Sequence, residues 1–298
     1  MSPSLLPAEI LARVRQIEII TRKRVDDVMT GQYKSHFKGQ GVTFSEHRQY
    51  MPGDDIRHLD WKVSARTRDP MIKKFEEERE LTVLLVVDIS GSQAFGSSEK
   101  LKSEVAAEVA GMISYAAIHG GDKVGALLFA GDVELILPPR KGRSHLQRVI
   151  REILVHEAKT PGTNLTQALQ SASRILKHAS IVFVISDFMA EGYEIALRQL
   201  ARKHDVVALN LSDRREDLVP DLGWVYFQDP ETGEEVGVDT GGYEFKRWLE
   251  QTREEQETDR RTAFKGGGID ELRIQTHEDY VQAIVKFFRL RALRRSGR

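Results

Sequence analysis

Leu81-Thr-Val-Leu-Leu-Val-Val87 runs without interruption into Asp88-Ile-Ser-Gly-Ser92, and this junction decides the fold. The first stretch is apolar and rich in valine and leucine, which is typical of a strand buried on both faces of a parallel sheet. The second stretch supplies one carboxylate and two hydroxyls. A buried strand that ends in three oxygen donors places them at the mouth of a sheet, where hard cations such as Mg²⁺ bind.

The composition is that of a globular protein with one large core. The chain has 298 residues, of which 40% are hydrophobic and 30% are charged, and its formal net charge is -1. Such a balance removes the overall field that would draw the surface to nucleic acid or anionic lipid, so we expect no nucleic-acid partner. The sequence has no apolar run long enough to span a bilayer and does not begin like a signal peptide, which predicts a cytoplasmic protein.

Two absences narrow the possible chemistry. The sequence contains no cysteine, which excludes disulfides, thiolate zinc sites and iron-sulfur clusters. None of the nine histidines falls in an H-x-x-x-H pair, which argues against a metal centre built from imidazoles. Any metal site in this chain is therefore expected to use oxygen ligands.

Downstream of residue 81, apolar strands alternate with amphipathic helices. This alternation predicts an α/β fold with a doubly wound, mainly parallel sheet that helices cover on both faces. The predicted domain, with its C-terminal helical extension, comprises residues 81–298. The predicted strands are 124–130, 133–137, 181–186, 206–211 and 272–275, with a hairpin at 225–228 and 235–238, and the predicted helices are 100–119, 144–156, 165–178, 191–204, 243–264 and one from 277 onward.

Residues 1–80 are expected to form a separate N-terminal part. Apolar side chains spaced among charges predict one amphipathic helix over residues 5–29, which could dock on a core or on a partner. Residues 37–80 show short extended pieces punctuated by glycine and proline, which predicts a small module of irregular β structure rather than helices. The apolar positions of the predicted helix are Ile10, Val14, Ile17, Val25 and Val28.

Three separated pieces of sequence could share one cation. They are Asp88, Ser90 and Ser92 at the end of the first strand, Thr163 in the loop Pro161-Gly-Thr-Asn-Leu165, and Asp187 after the strand 181–186. Residues at the carboxyl ends of parallel strands gather in one crevice. Two carboxylates diluted by hydroxyls suit Mg²⁺ or Mn²⁺ and leave the ion electrophilic, so that a Glu or Asp from another protein can complete its ligands.

Each piece alone also has an ordinary explanation. The Asp-Ile-Ser-Gly-Ser string could be a simple turn, Thr163 could cap the helix that begins near Leu165, and Asp187 could only start a loop. Their occurrence together, in this order and at the ends of predicted strands, favours the metal site.

These residues resemble the metal-ion-dependent adhesion site of the von Willebrand factor A fold. The resemblance covers residues 81–211 and matches the first Asp, both Ser, the loop Thr and the later Asp of that site. It implies that these five side chains hold a divalent ion and that a carboxylate of a client protein completes the site. Gln93 stands where relatives often have methionine, a position that is not a ligand.

A second resemblance lies between residues 39 and 80. Gly39-Gln-Gly41, Arg48-Gln-Tyr-Met-Pro-Gly-Asp-Asp-Ile-Arg57, Leu59-Asp-Trp-Lys62 and Lys74-Phe-Glu-Glu-Glu-Arg-Glu80 are similar to the signature of the bacterial family called domain of unknown function 58. The resemblance implies an adaptor that works with a MoxR-type AAA+ ATPase. Charged residues around Trp61 in this segment could form either a scaffold of ion pairs or a docking surface; they are Asp54, Asp55, Arg57, Asp60 and Arg66.

The leading hypothesis is therefore a metal-dependent protein-interaction adaptor, without catalytic residues, that acts in protein maturation or complex assembly. The alternative is a metal-dependent hydrolase or phosphotransferase that uses Asp88 as its nucleophile. Against it, Ser90 stands where phosphatases with an aspartate nucleophile carry a second Asp as acid and base. A third hypothesis is a structural protein whose site has lost its ion.

Overall fold

The computed structural model of this chain describes residues 12, 14–17, 43–52, 54–76, 80–94, 100–213, 219–228 and 235–296. The chain divides into a small compact unit, residues 37–81, and a larger unit that contains the rest. Most of the predicted helix 5–29 lies outside the described residues, but residues 12 and 14–17 are helical. Val14 and Ile17 are buried, and they belong to the larger unit.

The larger unit alternates strands and helices along the chain, as the sequence pattern predicts. Its strands are β3 (Thr82–Asp88), β4 (Lys123–Phe129), β5 (Val133–Arg140), β6 (Ile181–Ser186), β7 (Asp205–Ser212), β8 (Trp224–Gln228), β9 (Glu235–Asp239) and β10 (Asp270–Gln275). Its helices are α2 (Lys102–His119), α3 (Arg143–Val155), α4 (Leu165–Ile175), α5 (Glu194–Ala201), α6 (Tyr243–Gly267) and α7 (Tyr280–Ser296).

A six-stranded sheet in the order β10-β7-β6-β3-β4-β5 forms the centre of this unit. All neighbouring strands in it are parallel except β4 and β5, which are antiparallel. Strands β3 and β6 lie in the middle and are buried along almost their whole length, which explains their uninterrupted apolar sequences. The predicted doubly wound, mainly parallel α/β fold is confirmed.

Helices cover both faces of this sheet. One face packs against α4, α5 and α6 through a buried apolar cluster that includes Leu84, Val184, Leu169, Leu197 and Phe264. On the other face, Phe288 of α7 meets Phe183 of β6 edge to face, with 6.0 Å between ring centroids. The final helix thus uses its apolar side for packing on the sheet, with Ile284 and Phe288 fully buried.

Close contact also joins α2, α3 and the N-terminal helical residues. A Cβ at Gly111 would lie 3.0 Å from Cγ2 of Ile17 and 3.3 Å from Cδ1 of Ile150. Glycine therefore lets three helical segments approach one another on this face of the sheet. Of the two possibilities for the first helix, its described residues support docking on a core.

The described residues of the small unit form strands, as the sequence pattern predicts, and also an α-helix that the pattern did not predict. Strand β1 (Thr43–Gln49) pairs antiparallel with β2 (Met71–Glu76), and α1 (Trp61–Thr67) lies between them in sequence. The predicted β structure is present in β1 and β2, and α1 is an addition that the sequence pattern did not indicate. Asp60 starts this helix, because its Oδ1 accepts hydrogen bonds from the amides of Lys62 and Val63.

Ion pairs in the small unit fix its turns rather than enclose Trp61. Arg48 donates to Asp54 at 2.5 Å, and Asp54 also accepts from the amide of Met51. Asp55 pairs with Arg57, and Asp60 bonds to Nε2 of His47 at 3.0 Å. Trp61 itself is 70% exposed. The scaffold interpretation accounts for these bonds.

Among the described residues, no helix has both the length and the apolar character that crossing a membrane requires. The hairpin of β8 and β9 forms as predicted, and its turn, residues 229–234, lies outside the described part of the chain.

Candidate metal centre

The central pair of strands brings the two aspartates to one edge of the sheet. Asp88 is the last residue of β3, and Asp187 directly follows β6. These strands are parallel neighbours, with Val87 opposite Ile185. Their carboxyl ends therefore meet, as the sequence analysis expects for a crevice at the end of a parallel sheet.

Asp88 is held in place by hydrogen bonds to both of its carboxylate oxygens. The amide of Ser90 donates to Oδ1 at 3.0 Å, and Oγ of Ser186 donates to Oδ2 at 2.7 Å. The side chain is buried. Burial raises the pKa of Asp88 to about 6, and the nearby charge of Asp187 adds to this effect, while the hydrogen bonds from Ser90 and Ser186 oppose it.

One carboxylate oxygen of Asp187 accepts three hydrogen bonds. Its Oδ2 accepts from Oγ of Ser92 at 3.1 Å, from Nε2 of Gln93 at 3.2 Å and from Nζ of Lys102 at 3.2 Å. The hydroxyls of Ser90 and Ser92 lie 3.1 Å apart. One hydrogen-bonded cluster thus joins four of the five residues predicted to hold a metal: Asp88, Ser90, Ser92 and Asp187.

The backbone turns sharply immediately after Asp187. Phe188 adopts a left-handed conformation with φ of 56°, which is uncommon for a residue other than glycine. Packing maintains this conformation, because the centroid of the buried Phe188 ring lies 5.1 Å from the ring centroid of Phe264 and 5.8 Å from that of Tyr193. Ser186 Oγ also accepts from the amide of Phe188 at 3.1 Å. Ser186 therefore supports both aspartates, one by a direct bond and one through the turn.

Thr163, the fifth predicted residue, lies in a loop at the same edge of the sheet. The amide of Asn164 donates to the carbonyl of Ala130 at 2.7 Å, and Ala130 directly follows the last residue of β4. Phe129, the last residue of β4, pairs with Asp88 in the neighbouring strand β3. The Asn164 side chain, not that of Thr163, caps α4 by accepting from the amide of Gln167. The capping explanation for Thr163 is therefore wrong.

Two contacts position this loop. Oε1 of Glu134 accepts from the amides of Lys159 and Thr160 at 3.0 and 2.9 Å, and from Oγ1 of Thr160 at 2.7 Å. Gly131 lies directly against the loop, since a Cβ there would come within 2.0 Å of the carbonyl oxygen of Pro161. Glu134 and Gly131 thus fix the loop that contains Thr163 beside the end of β4.

Sequence reasoning missed three residues of the cluster. Ser186 is the last residue of an apolar strand, Gln93 stands at a position that is not a ligand in relatives, and Lys102 begins a helix where a charged residue is ordinary. Both Gln93 and Lys102 are 1% exposed. The sequence carried no sign of that burial, since lysines also stand at positions 100 and 159, close to the same motif pieces.

The donors present fit a hard divalent cation. Carboxylate and hydroxyl oxygens are the ligands that Mg²⁺ and Mn²⁺ prefer. Oε1 of the buried Gln93 has no hydrogen-bond partner, so an electronegative atom lies inside the cluster with its acceptor capacity unused. Within the described residues, no group of three or more His, Cys, Asp or Glu side chains could hold a metal. A cation here would therefore depend on two carboxylates supplemented by hydroxyls.

Residues 46–259 match a protein family described as "Protein of unknown function DUF58". The chain belongs to the DUF58 family. This DUF58 protein is 32% identical over 306 residues to the uncharacterized protein Rv1480 of Mycobacterium tuberculosis, a match that covers 99% of this chain and 94% of the relative. It is 29% identical over 136 residues to the uncharacterized protein YeaD of Bacillus subtilis, covering 46% of this chain and 32% of that protein.

Solved structures similar to this DUF58 protein include the conserved hypothetical protein BatB from Bacteroides thetaiotaomicron. That match has 20% identity and a TM-score of 0.49, and it covers 72% of this chain and 99% of the other. The SpRpn10 VWA domain matches with 8% identity and a TM-score of 0.38, covering 69% of this chain and 94% of that domain.

Proposed function

We propose that this DUF58 protein is a divalent-metal-dependent protein-interaction adaptor. Its metal site consists of Asp88, Ser90, Ser92, Thr163 and Asp187, and the ion is Mg²⁺ or Mn²⁺. The observation that carries the proposal is the single hydrogen-bonded cluster formed by Ser90, Ser92 and Asp187 beside Asp88, at the carboxyl ends of two parallel strands. When bound, the ion offers a coordination position to a carboxylate of a client protein.

The residues of the chain prepare this site in different ways. Ser186 and the amide of Ser90 hold the carboxylate of Asp88 in one orientation. Ser92 and Gln93 orient Asp187. Preorganised donors of this kind lower the cost of gathering two like charges around a cation, because their positions are already set before binding.

The proposed partners are a MoxR-type AAA+ ATPase and a client protein with an acidic side chain at its binding surface. The support for the ATPase is the family resemblance, together with the match over residues 46–259. An adaptor that binds a client at its metal site and an ATPase elsewhere would act in protein maturation or complex assembly.

The alternative, a hydrolase or phosphotransferase with Asp88 as nucleophile, gains no specific support from the site. Asp88 is 1% exposed, and both of its oxygens accept hydrogen bonds. The second carboxylate, that of Asp187, is engaged by Lys102 rather than placed to transfer a proton.

Affinity capture with the full chain tests the proposal. The wild-type protein is immobilised and exposed to native bacterial cytosol with Mg²⁺ or with a chelator, beside Asp88→Asn and the control Asp221→Asn. Asp221 is a suitable control because it is an exposed carboxylate, 62% accessible, that bonds only to Lys246 among the described hydrogen bonds.

We expect a MoxR-type ATPase or an acidic client in the eluate of the wild type and of Asp221→Asn with Mg²⁺, and its loss with chelator or in Asp88→Asn. Capture that is equal under all four conditions would contradict the proposal. Hydrolysis of p-nitrophenyl phosphate by wild type but not by Asp88→Asn would favour the enzyme.

A further inference from the structure

A lysine side chain lies inside the proposed metal site. Lys102 is the first residue of α2, and its side chain is 1% exposed. Its ammonium group lies 3.2 Å from Oδ2 of Asp187, the oxygen that also accepts from Ser92 and Gln93. Lysine is rarely buried to this extent unless it is paired, because removing an ammonium from water is costly.

The charges of the cluster define a simple balance. Among the described residues of the cluster, ionised Asp88 and Asp187 together with the Lys102 ammonium carry one net negative charge. A divalent ion added to them leaves one net positive charge in a buried setting, which is unfavourable. One further carboxylate, supplied from outside, returns the cluster to neutrality. The ion and an external carboxylate are therefore favoured together over the ion alone.

We propose that Lys102 is a resident cation that competes with the divalent ion for Asp187 and so makes ion binding depend on an acidic partner. This inference rests on the proposed function. In the absence of the ion, Lys102 neutralises Asp187 and keeps its carboxylate in place. When the ion binds, Lys102 and the ion place two cations beside Asp187, and the carboxylate of the partner offsets the added positive charge. By thermodynamic linkage, the carboxylate raises the affinity for the ion by the same factor by which the ion raises the affinity for the carboxylate.

Titration of the full chain with Mn²⁺ tests this inference, with acetate as the probe for the partner carboxylate. Wild type is compared with Lys102→Gln, which removes the charge and keeps a hydrogen-bond donor, and with Lys102→Met, which removes both. Lys123→Gln is the control, since Lys123 is an exposed lysine at the amino end of β4, the opposite edge of the sheet. Calorimetry gives the affinities, and circular dichroism verifies folding.

We expect Lys102→Gln and Lys102→Met to bind Mn²⁺ about tenfold more tightly than wild type and Lys123→Gln, within the range typical of coupling between sites. Sodium acetate, compared with sodium chloride at equal ionic strength, should tighten Mn²⁺ binding to wild type and have less effect on both Lys102 variants.

The outcomes separate this inference from the proposed function. Equal or weaker Mn²⁺ binding in the folded Lys102 variants overturns the inference and leaves a metal site intact. If the variants do not fold, the wild-type protein decides, and a lack of any acetate effect overturns it. No Mn²⁺ binding by any folded form, with or without acetate, removes the proposed function and this inference together.

Discussion

Ser92 donates a hydrogen bond from Oγ to Oδ2 of Asp187 at 3.1 Å, although the two residues are 95 positions apart in the chain. The bond joins the turn after β3 to the end of β6. It forms because the two strands are parallel neighbours in the sheet, which puts their carboxyl ends side by side. The proposed metal site is thus a direct consequence of the sheet order.

The first prediction concerns Asp88 and pH. Its pKa is raised to about 6 from an ordinary value of 3.8, so between these values the folded protein binds the proton more tightly than the unfolded chain does. The contribution of this group to stability therefore falls as pH rises through that window, by up to about 3 kcal/mol. Asp88→Asn cannot ionise and lacks this loss.

The measurement is urea unfolding in the presence of chelator at several pH values. We expect the stability of wild type relative to Asp88→Asn to decrease from about pH 4 to about pH 6 and to stay constant above it. A difference between the two proteins that does not vary with pH would show that Asp88 titrates normally.

The second prediction concerns the support that Ser186 gives. Ser186→Ala removes the donor to Asp88 and the acceptor for the Phe188 amide, both buried. Leaving buried polar groups unsatisfied costs about 1–3 kcal/mol. We expect a loss of that size in urea unfolding, while the exposed Ser144→Ala changes little. Equal stability of both variants would mean that Ser186 holds neither group.

The third prediction concerns the buried ion pair. Asp187→Asn removes the charge that faces Lys102, and breaking one side of such a pair costs about 3–5 kcal/mol. The double variant Asp187→Asn with Lys102→Met removes both charges, and we expect it to be more stable than Asp187→Asn alone. Thermal or urea unfolding of the four proteins gives a double-mutant cycle. Additive effects would indicate that the two side chains do not interact.

The fourth prediction concerns the loop that contains Thr163. Glu134→Ala removes the acceptor for three hydrogen bonds from residues 159 and 160. We expect lower stability, by about 1–3 kcal/mol, and weaker Mn²⁺ binding than in wild type. Because these bonds lower the pKa of Glu134, chiefly through Thr160, the stability difference should shrink as pH falls below about 4.5.

The control for this loop is Glu157→Ala, which removes an exposed glutamate from the segment between α3 and Thr163. Loss of stability in Glu134→Ala without any change in Mn²⁺ affinity would mean that the position of Thr163 does not matter for the ion.

The sequence predicts the positions of Asp88 and Asp187 well because each follows an uninterrupted apolar strand, and strand ends in a parallel sheet converge by topology. It does not predict Lys102 or Gln93, because a lysine at a helix start and a glutamine in a turn look the same whether buried or solvated. Burial depends on tertiary packing, which a local pattern does not encode. Helix α1 was not predicted either, because it is a short helix and its start depends on the cap that Asp60 provides.

The first predicted helix, residues 5–29, also shows that a local sequence pattern does not reveal tertiary contacts. Amphipathic spacing predicts a helix that contains Val14 and Ile17, but not what covers them. The close approach at Gly111 shows the contact on α2. A glycine in the middle of a helix is a weak signal by itself, because its reason appears only when the neighbouring helix is known.

The decisive experiment measures Mn²⁺ binding by the 298-residue chain. Wild type, Asp88→Asn and Asp221→Asn are titrated by calorimetry or by the electron paramagnetic resonance of free Mn²⁺, in acetate buffer and without chelator. We expect one Mn²⁺ site per chain in wild type and Asp221→Asn, and its loss in a folded Asp88→Asn. Wild-type protein that leaves all Mn²⁺ free, or Asp88→Asn that binds it as well as wild type does, would show that the five proposed residues are not a metal site.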